Sequence, residues 1–255
     1  MSKSSLIIFL CLFLTFGGCA STKITFKSCP LNTDLVNKII SIINRQNRLV
    51  RSVVSYGTIR IRKESSSFSA DVMIAATKAP FRIKIEVTHF WGRPLCYILI
   101  QDDVAYILSF TEQKYYIHSL GRPEPSGLFP FPLEKACLWG ILKGYPVLRD
   151  YAQVKLTEDN RIALADTHGN YVEMLKLCMD DYFPCEVLFP KEHVKVVRVD
   201  FDHSNDIIFA HSTDVFYQTE NISWNIVLKQ VVFNMDIPGD IFKLQVPPGY
   251  ETVWE

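Results

Sequence analysis

Few of the residues that announce chemistry are arranged here to perform it. Serines are plentiful, yet no Gly-x-Ser-x-Gly occurs, which excludes a nucleophile elbow. The 11 glycines never gather into a phosphate-cradling loop. No Cys-x-x-Cys and no Cys/His spacing suits zinc, and His193, His203 and His211 match no metal motif. Asp102-Asp103 and Asp180-Asp181 read as hairpin turns, not as paired catalytic carboxylates. Charge of one sign is also missing: 27 basic side chains balance 27 acidic ones and form no block. That argues against nucleic acid as a partner and against polybasic membrane binding. A binding protein is expected, not an enzyme, with no metal and no cofactor.

What is present is apolar surface. Of 255 residues, 48% are hydrophobic, enough for one large core in a single domain. Residues 1–18 read as a signal peptide, with Lys3 at its start and an apolar stretch from Leu6 to Phe16. That stretch falls short of the about 20 residues a membrane-spanning helix needs. Phe16-Gly17-Gly18-Cys19 resembles the bacterial lipoprotein signal, which implies cleavage before Cys19 and lipid attachment to it. Ala20 follows and no Asp does, so the same resemblance implies sorting to the outer membrane. An ordinary signal cut near Ala20 is the alternative. Residues 19–29 would then be a lipidated tether and 30–255 the folded domain. With Cys19 and the signal set aside, five cysteines remain, and an odd number cannot all pair within one chain. Most have apolar neighbours and suit the core; Cys178 and Cys185 flank a turn and could bridge a hairpin.

Phe81 to Ser119 carries four apolar runs separated by turn clusters, the pattern of an antiparallel meander. In the first, Phe81, Ile83, Ile85 and Val87 alternate with Arg82, Lys84, Glu86 and Thr88. Leu95 to Ile100 is apolar at both parities, so that part of the sheet should be covered on both faces. Two helices are available to cover it. One follows Asn32 or Thr33, either a suitable cap, with Leu35, Val36, Ile39, Ile42 and Ile43 on one stripe. The other spans Leu133 to Lys143, with Gly144 to end it, and Leu138, Trp139, Ile141 and Leu142 make it apolar nearly all round. Such a helix must be covered, and across an incompletely filled sheet it would act as a lid. Phe129, Phe131, Leu138, Trp139 and Leu142 are the candidate lining of a cavity beneath it, with plain core as the alternative.

Strands are expected at Ser52 to Arg62 and Phe68 to Thr77. In the first, Val54 and Tyr56 hold one parity while Ile59 and Ile61 hold the other, so a bulge is expected at Gly57. Six more run from Ala152 to Met235, and the double proline Pro247-Pro248 should end regular structure. Roughly a dozen strands make a sheet long enough that it must curl.

In element order, and in the segments IEVTHFWGRPLCYILI and PFPLEKACLWGILKGYP, the chain resembles the outer-membrane lipoprotein receptor of the bacterial lipoprotein-localisation pathway, LolB, and related envelope lipoproteins. The resemblance implies a single unclosed antiparallel β-barrel of about eleven strands with helices covering an apolar cavity. It implies binding of acyl chains of lipoproteins or lipids and their delivery to the outer membrane, with a periplasmic LolA-type carrier as a partner. A lipid-anchored monomer facing the periplasm is expected. Carried across by position, the membrane-delivery loop between the third and fourth strands falls on Phe90 and Trp91. A scaffold or interaction lipoprotein of an envelope complex is the alternative function.

Overall fold

The computed structural model describes residues 31–120, 134–178 and 183–254. The signal segment, Cys19, the tether, Phe129 and Phe131 lie outside the described residues.

Helix α1 (Thr33–Leu49) starts where the Oδ1 of Asn32 accepts the amide N–H of Leu35 at 2.9 Å, a side-chain cap for a free helix N–H. Its buried stripe is Val36, Ile39, Ile40, Ile43 and, unexpectedly, Gln46. A meander follows: β1 (Ser52–Lys63), β2 (Ser66–Thr77), β3 (Arg82–Thr88), β4 (Pro94–Gln101), β5 (Val104–Ser109) and β6 (Lys114–Ser119). Helix α2 (Lys135–Leu142) leads to a second one: β7 (Gln153–Leu156), β8 (Ile162–Ala165), β9 (Tyr171–Cys178), β10 (Phe183–Phe189), β11 (Val194–Ser204), β12 (Ile207–Tyr217) and β13 (Ile222–Phe233). A short 3-10 turn (Gly239–Phe242) and β14 (Glu251–Trp254) close the described chain.

The first strand of one meander pairs with the last strand of the other, β1 with β13, which makes a single sheet in the order β14-β6-β5-β4-β3-β2-β1-β13-β12-β11-β10-β9-β8-β7. Every pairing is antiparallel except β14 with β6. The outermost strands, β7 and β14, are not paired to each other, so the sheet is unclosed.

Among the described residues, fourteen strands replace the expected eleven or so. Two were illegible for different reasons. All four residues of β8 are buried, which erases the alternation that marks a strand. Strand β14 follows the double proline, and only its neighbour β6 gives it ladder partners.

In an antiparallel sheet, paired residues share a face, so the register identifies the inner surface. On the N-terminal half it carries Val53, Val72, Ile74, Ala76, Ile83, Val87, Ile100 and Ala105; on the C-terminal half Ile226, Leu228, Val196, Val187, Leu175 and Leu164. All of these join the buried stripe of α1 and the residues of α2 in one apolar cluster.

The expected bulge sits beside Gly57, with a correction. Tyr56 pairs with Gln230 and Gly57 with Leu228, so Lys229 of β13 is the extra residue and β1 itself keeps its alternation. Ile59 and Ile61 share the inner face with Val53, while Val54 and Tyr56 point outward, Tyr56 being exposed. Any Cβ at Gly57 would stand 2.0 Å from the Val227 carbonyl oxygen, so only glycine permits this approach.

A second correction concerns the double-sided apolarity of β4. Helices cover only the inner face. On the outer one, Leu99 and Leu108 are buried, and the segment after β13 crosses that face: Phe242 is buried with the Arg82 guanidinium 4.4 Å from its ring centre, and Tyr250 packs edge-on to Phe110. The tail is thus a cover strap as well as a source of the last strand.

Candidate functional site

The β3–β4 hairpin turns at His89–Gly92, where the amide of Gly92 donates to the His89 carbonyl at 2.7 Å and that of His89 to the Arg93 carbonyl at 2.8 Å. Gly92 has φ +78°, a conformation that favours glycine. Phe90 and Trp91 occupy the two tip positions of this turn. They are 69% and 75% exposed and touch chiefly each other and the His89 ring, with ring centres 4.6 and 6.0 Å from Trp91. Neither folds back on the sheet. Two adjacent exposed aromatics on a turn pinned by its own backbone lose no core contact if they enter another apolar phase.

The other candidates meet at α2. Leu138, Trp139 and Leu142 are all buried, Trp139 to 2% exposure, and belong to the shared apolar cluster. A cavity covered by this helix is not shown: these three side chains pack as core. The helix ends at Lys143, and Gly144 follows with φ +68°. Its carbonyl accepts the amide of Ala210 at 2.8 Å, and a Cβ there would stand 2.6 Å from the Ala210 carbonyl oxygen. Beyond Ser212, β12 has no further partner in β13, so this bond and two from Gln46 take over its ladder groups.

Beneath α2 the inner face becomes polar. Glu173 on β9 and Arg198 on β11 occupy positions where their alternation calls for apolar residues, and both are almost wholly buried. Glu173 accepts the Arg149 backbone amide at 2.9 Å through Oε2. Burial pushes its pKa up to about 7, despite that bond and the charges of Arg149 and Arg198. The Arg149 guanidinium sits 3.0 Å from Glu134 and 2.9 Å from Glu192, over the Phe189 ring at 4.4 Å. Arg198 donates through Nη2 to the Gly140 carbonyl of α2 at 3.3 Å, and burial lowers its pKa to about 10. Burial likewise raises the Cys137 thiol to about 12 and that of Cys96 to about 11, the behaviour of unreactive core thiols. Cys178 and Cys185, which the sequence allowed but did not require to bridge, form a disulfide across the hairpin, with Cα atoms 5.6 Å apart.

Sequence reasoning thus found the hairpin tip and α2 but missed Gln46, Glu173 and Arg198. The available signal was one of parity, a polar residue in an inward position of an otherwise apolar alternation.

No family model and no curated protein matches this sequence. Solved structures do. A domain assigned to outer membrane lipoprotein sorting from Vibrio parahaemolyticus superposes with a TM-score of 0.53 at 10% identity, over 81% of this chain and 96% of its own. A DUF1329 family protein from Desulfovibrio piger gives 0.55 at 11%, over 82% and 97%. A LolA superfamily protein from Nitrosomonas europaea gives 0.51 at 12%, over 81% and 97%. At such identities the likeness is one of fold: the chain has a LolA/LolB-type fold.

Proposed function

We propose, with a LolA/LolB-type fold as the premise, that this chain binds acyl chains of lipoproteins or lipids and helps deliver them to the outer membrane. The observation that carries the reading is the hairpin tip, where Phe90 and Trp91 stand exposed on a turn fixed by backbone hydrogen bonds. Apolar aromatics presented in this way insert into a lipid interface at little conformational cost. The sheet's apolar inner face supplies a surface for hydrocarbon, whose transfer from water is favourable by about 25 cal/mol per Å² and needs no directional partner. Uptake requires α2 to move aside, because Trp139 and Leu142 are packed into the core.

In this proposal residues 1–18 are removed, Cys19 carries the lipid, and residues 19–29 tether the domain to the outer membrane on its periplasmic side. Several acyl chains would make that attachment effectively permanent, since each buried methylene adds about 0.8 kcal/mol. Cargo arrives from a LolA-type carrier, and no bond is made or broken on the way.

A second reading, a non-transferring scaffold of an envelope complex, is favoured by the close packing of α2 and by β7, which pairs with β8 alone and forms one edge of the sheet among the described residues. There Val154 and Leu156 are exposed on a strand with no second neighbour among the described residues. Native mass spectrometry of the purified protein separates the two. A co-purified acylated molecule supports transfer. A protein that never carries one, and takes none from an acylated carrier, is a scaffold.

A further inference from the structure

Burial of a charge is tolerated when hydrogen bonds and a counter-charge replace the water that it loses. Two cations beneath α2 do not meet that condition. Arg198 is 3% exposed and spends one of its donor nitrogens, Nη2, on the Gly140 carbonyl; Nε and Nη1 have no hydrogen-bond partner among the described residues. Lys143, 2% exposed at the end of α2, has none for Nζ among the described residues, and the Tyr145 ring centre is 5.9 Å from it. The indole Nε1 of the buried Trp139 also has no partner among the described residues. Among the described residues no carboxylate lies within 4.0 Å of either cation.

The unspent groups of Trp139, Lys143 and Arg198 are donors, while Glu173, beneath the same helix, keeps its Oε1 without a partner among the described residues. Glu173, the carboxylate that influences Arg198, accepts the Arg149 amide through Oε2, and burial pushes its pKa up to about 7. Burial, and then repulsion from Lys78 and Arg198, drives the Lys143 pKa well below its ordinary range. Lys78 itself is held by the Asn47 carbonyl at 2.8 Å. A carboxylate has two oxygens to offer such a set. A phosphate has more oxygens and more charge, and so can meet several donors together. Val196 lies two residues before Arg198 on the inner face, paired with Val187, which pairs in turn with Leu175, so a hydrocarbon row adjoins this polar patch.

We infer that Arg198, Lys143 and the Trp139 indole N–H form a recognition site for the phosphate of an anionic phospholipid whose acyl chains lie along the apolar inner face. The site deepens the amphiphile-binding reading above, and rests on it, by naming the class of head group.

The test measures binding of three probes to the full-length protein by titration calorimetry: dihexanoyl phosphatidic acid, dihexanoyl glycerol and inorganic phosphate. Phosphatidic acid should bind at least tenfold more tightly than the diacylglycerol. Lys143→Met and Arg198→Met should each shrink that preference and leave the diacylglycerol affinity unchanged. Equal affinity of the native protein for the two lipids overturns the head-group site while leaving acyl binding intact, and needs no variant. Binding of neither lipid overturns the amphiphile reading as well. Inorganic phosphate binding as tightly as phosphatidic acid, with the same loss in Lys143→Met, keeps the phosphate site and identifies free phosphate as its ligand. Preference unchanged in both variants assigns recognition elsewhere and removes these residues.

Discussion

Gln46 and Ile208 are joined as two strands would be: the Gln46 Oε1 accepts the Ile208 amide at 3.0 Å while its Nε2 donates to the Asp206 carbonyl at 2.8 Å. A side-chain amide of α1 stands in for the backbone of a missing neighbour at the start of β12, where β13 no longer reaches. Gln46→Leu keeps the volume of the stripe but strands both backbone groups. Stability should fall by about 2–3 kcal/mol, the desolvation penalty of two unpaired groups. Urea denaturation measures it, and a change below about 0.5 kcal/mol would show that water replaces the amide freely.

Gly144→Ala should be more damaging than a glycine-to-alanine change in an ordinary loop. The position has φ +68°, and its added methyl would collide with the Ala210 backbone, which is fixed by the Gly144 carbonyl. A loss of about 2 kcal/mol or more is expected, compared with about 1 kcal/mol for the unfavourable dihedral alone. Gly92→Ala is the matched control: its φ is also positive, but nothing lies within 4 Å of the new carbon. Equal losses at the two sites would mean that the contact with β12 is dispensable.

Glu173 gives stability a pH dependence whose sign can be worked out. Its folded pKa, about 7, lies above its ordinary value of 4.5, so the folded state binds the proton more tightly than the unfolded chain. The contribution is fully present below pH 4.5 and is lost as pH rises through 7. Glu173→Gln retains an acceptor for the Arg149 amide and cannot ionise. Relative to the native protein it should become more stable between pH 5 and pH 8, by up to roughly 3 kcal/mol. Thermal melts across that range would contradict the assignment if the difference between the two proteins stayed constant.

Trp91→Glu should leave the fold alone, since the side chain makes no core contact; stability should change by less than about 0.5 kcal/mol. Transfer of an acylated cargo from the loaded protein to liposomes should slow by about tenfold or more, the effect of roughly 1.4 kcal/mol of membrane affinity. Cargo uptake should be unaffected. Full delivery by the variant would remove Trp91 from the mechanism.

Local pattern determined much of this protein. The alternation around Ile83, Ile85 and Val87, the cap at Asn32, the stop at Gly144 and the punctuation between runs were enough for the first meander, for the second apart from β8, and for both helices. These features are written in neighbouring residues, whose spacing alone sets which face they share. The order of the elements, with the Phe90-Trp91 turn between β3 and β4, also pointed to the LolA/LolB-type fold.

Tertiary structure decided what depends on partners distant in the chain. The pairing of β1 with β13 places the bulge on Lys229 and not on β1, the strap from Phe242 to Tyr250 covers the outer face of β4, and β14 finds its ladder only beside β6. No local signal encodes these, because each hydrogen bond or buried area comes from a segment far away in sequence. The polar interior has the same origin: Arg198, Glu173 and Lys143 are ordinary charged residues in sequence, and only the closing of α2 over the sheet withdraws them from water.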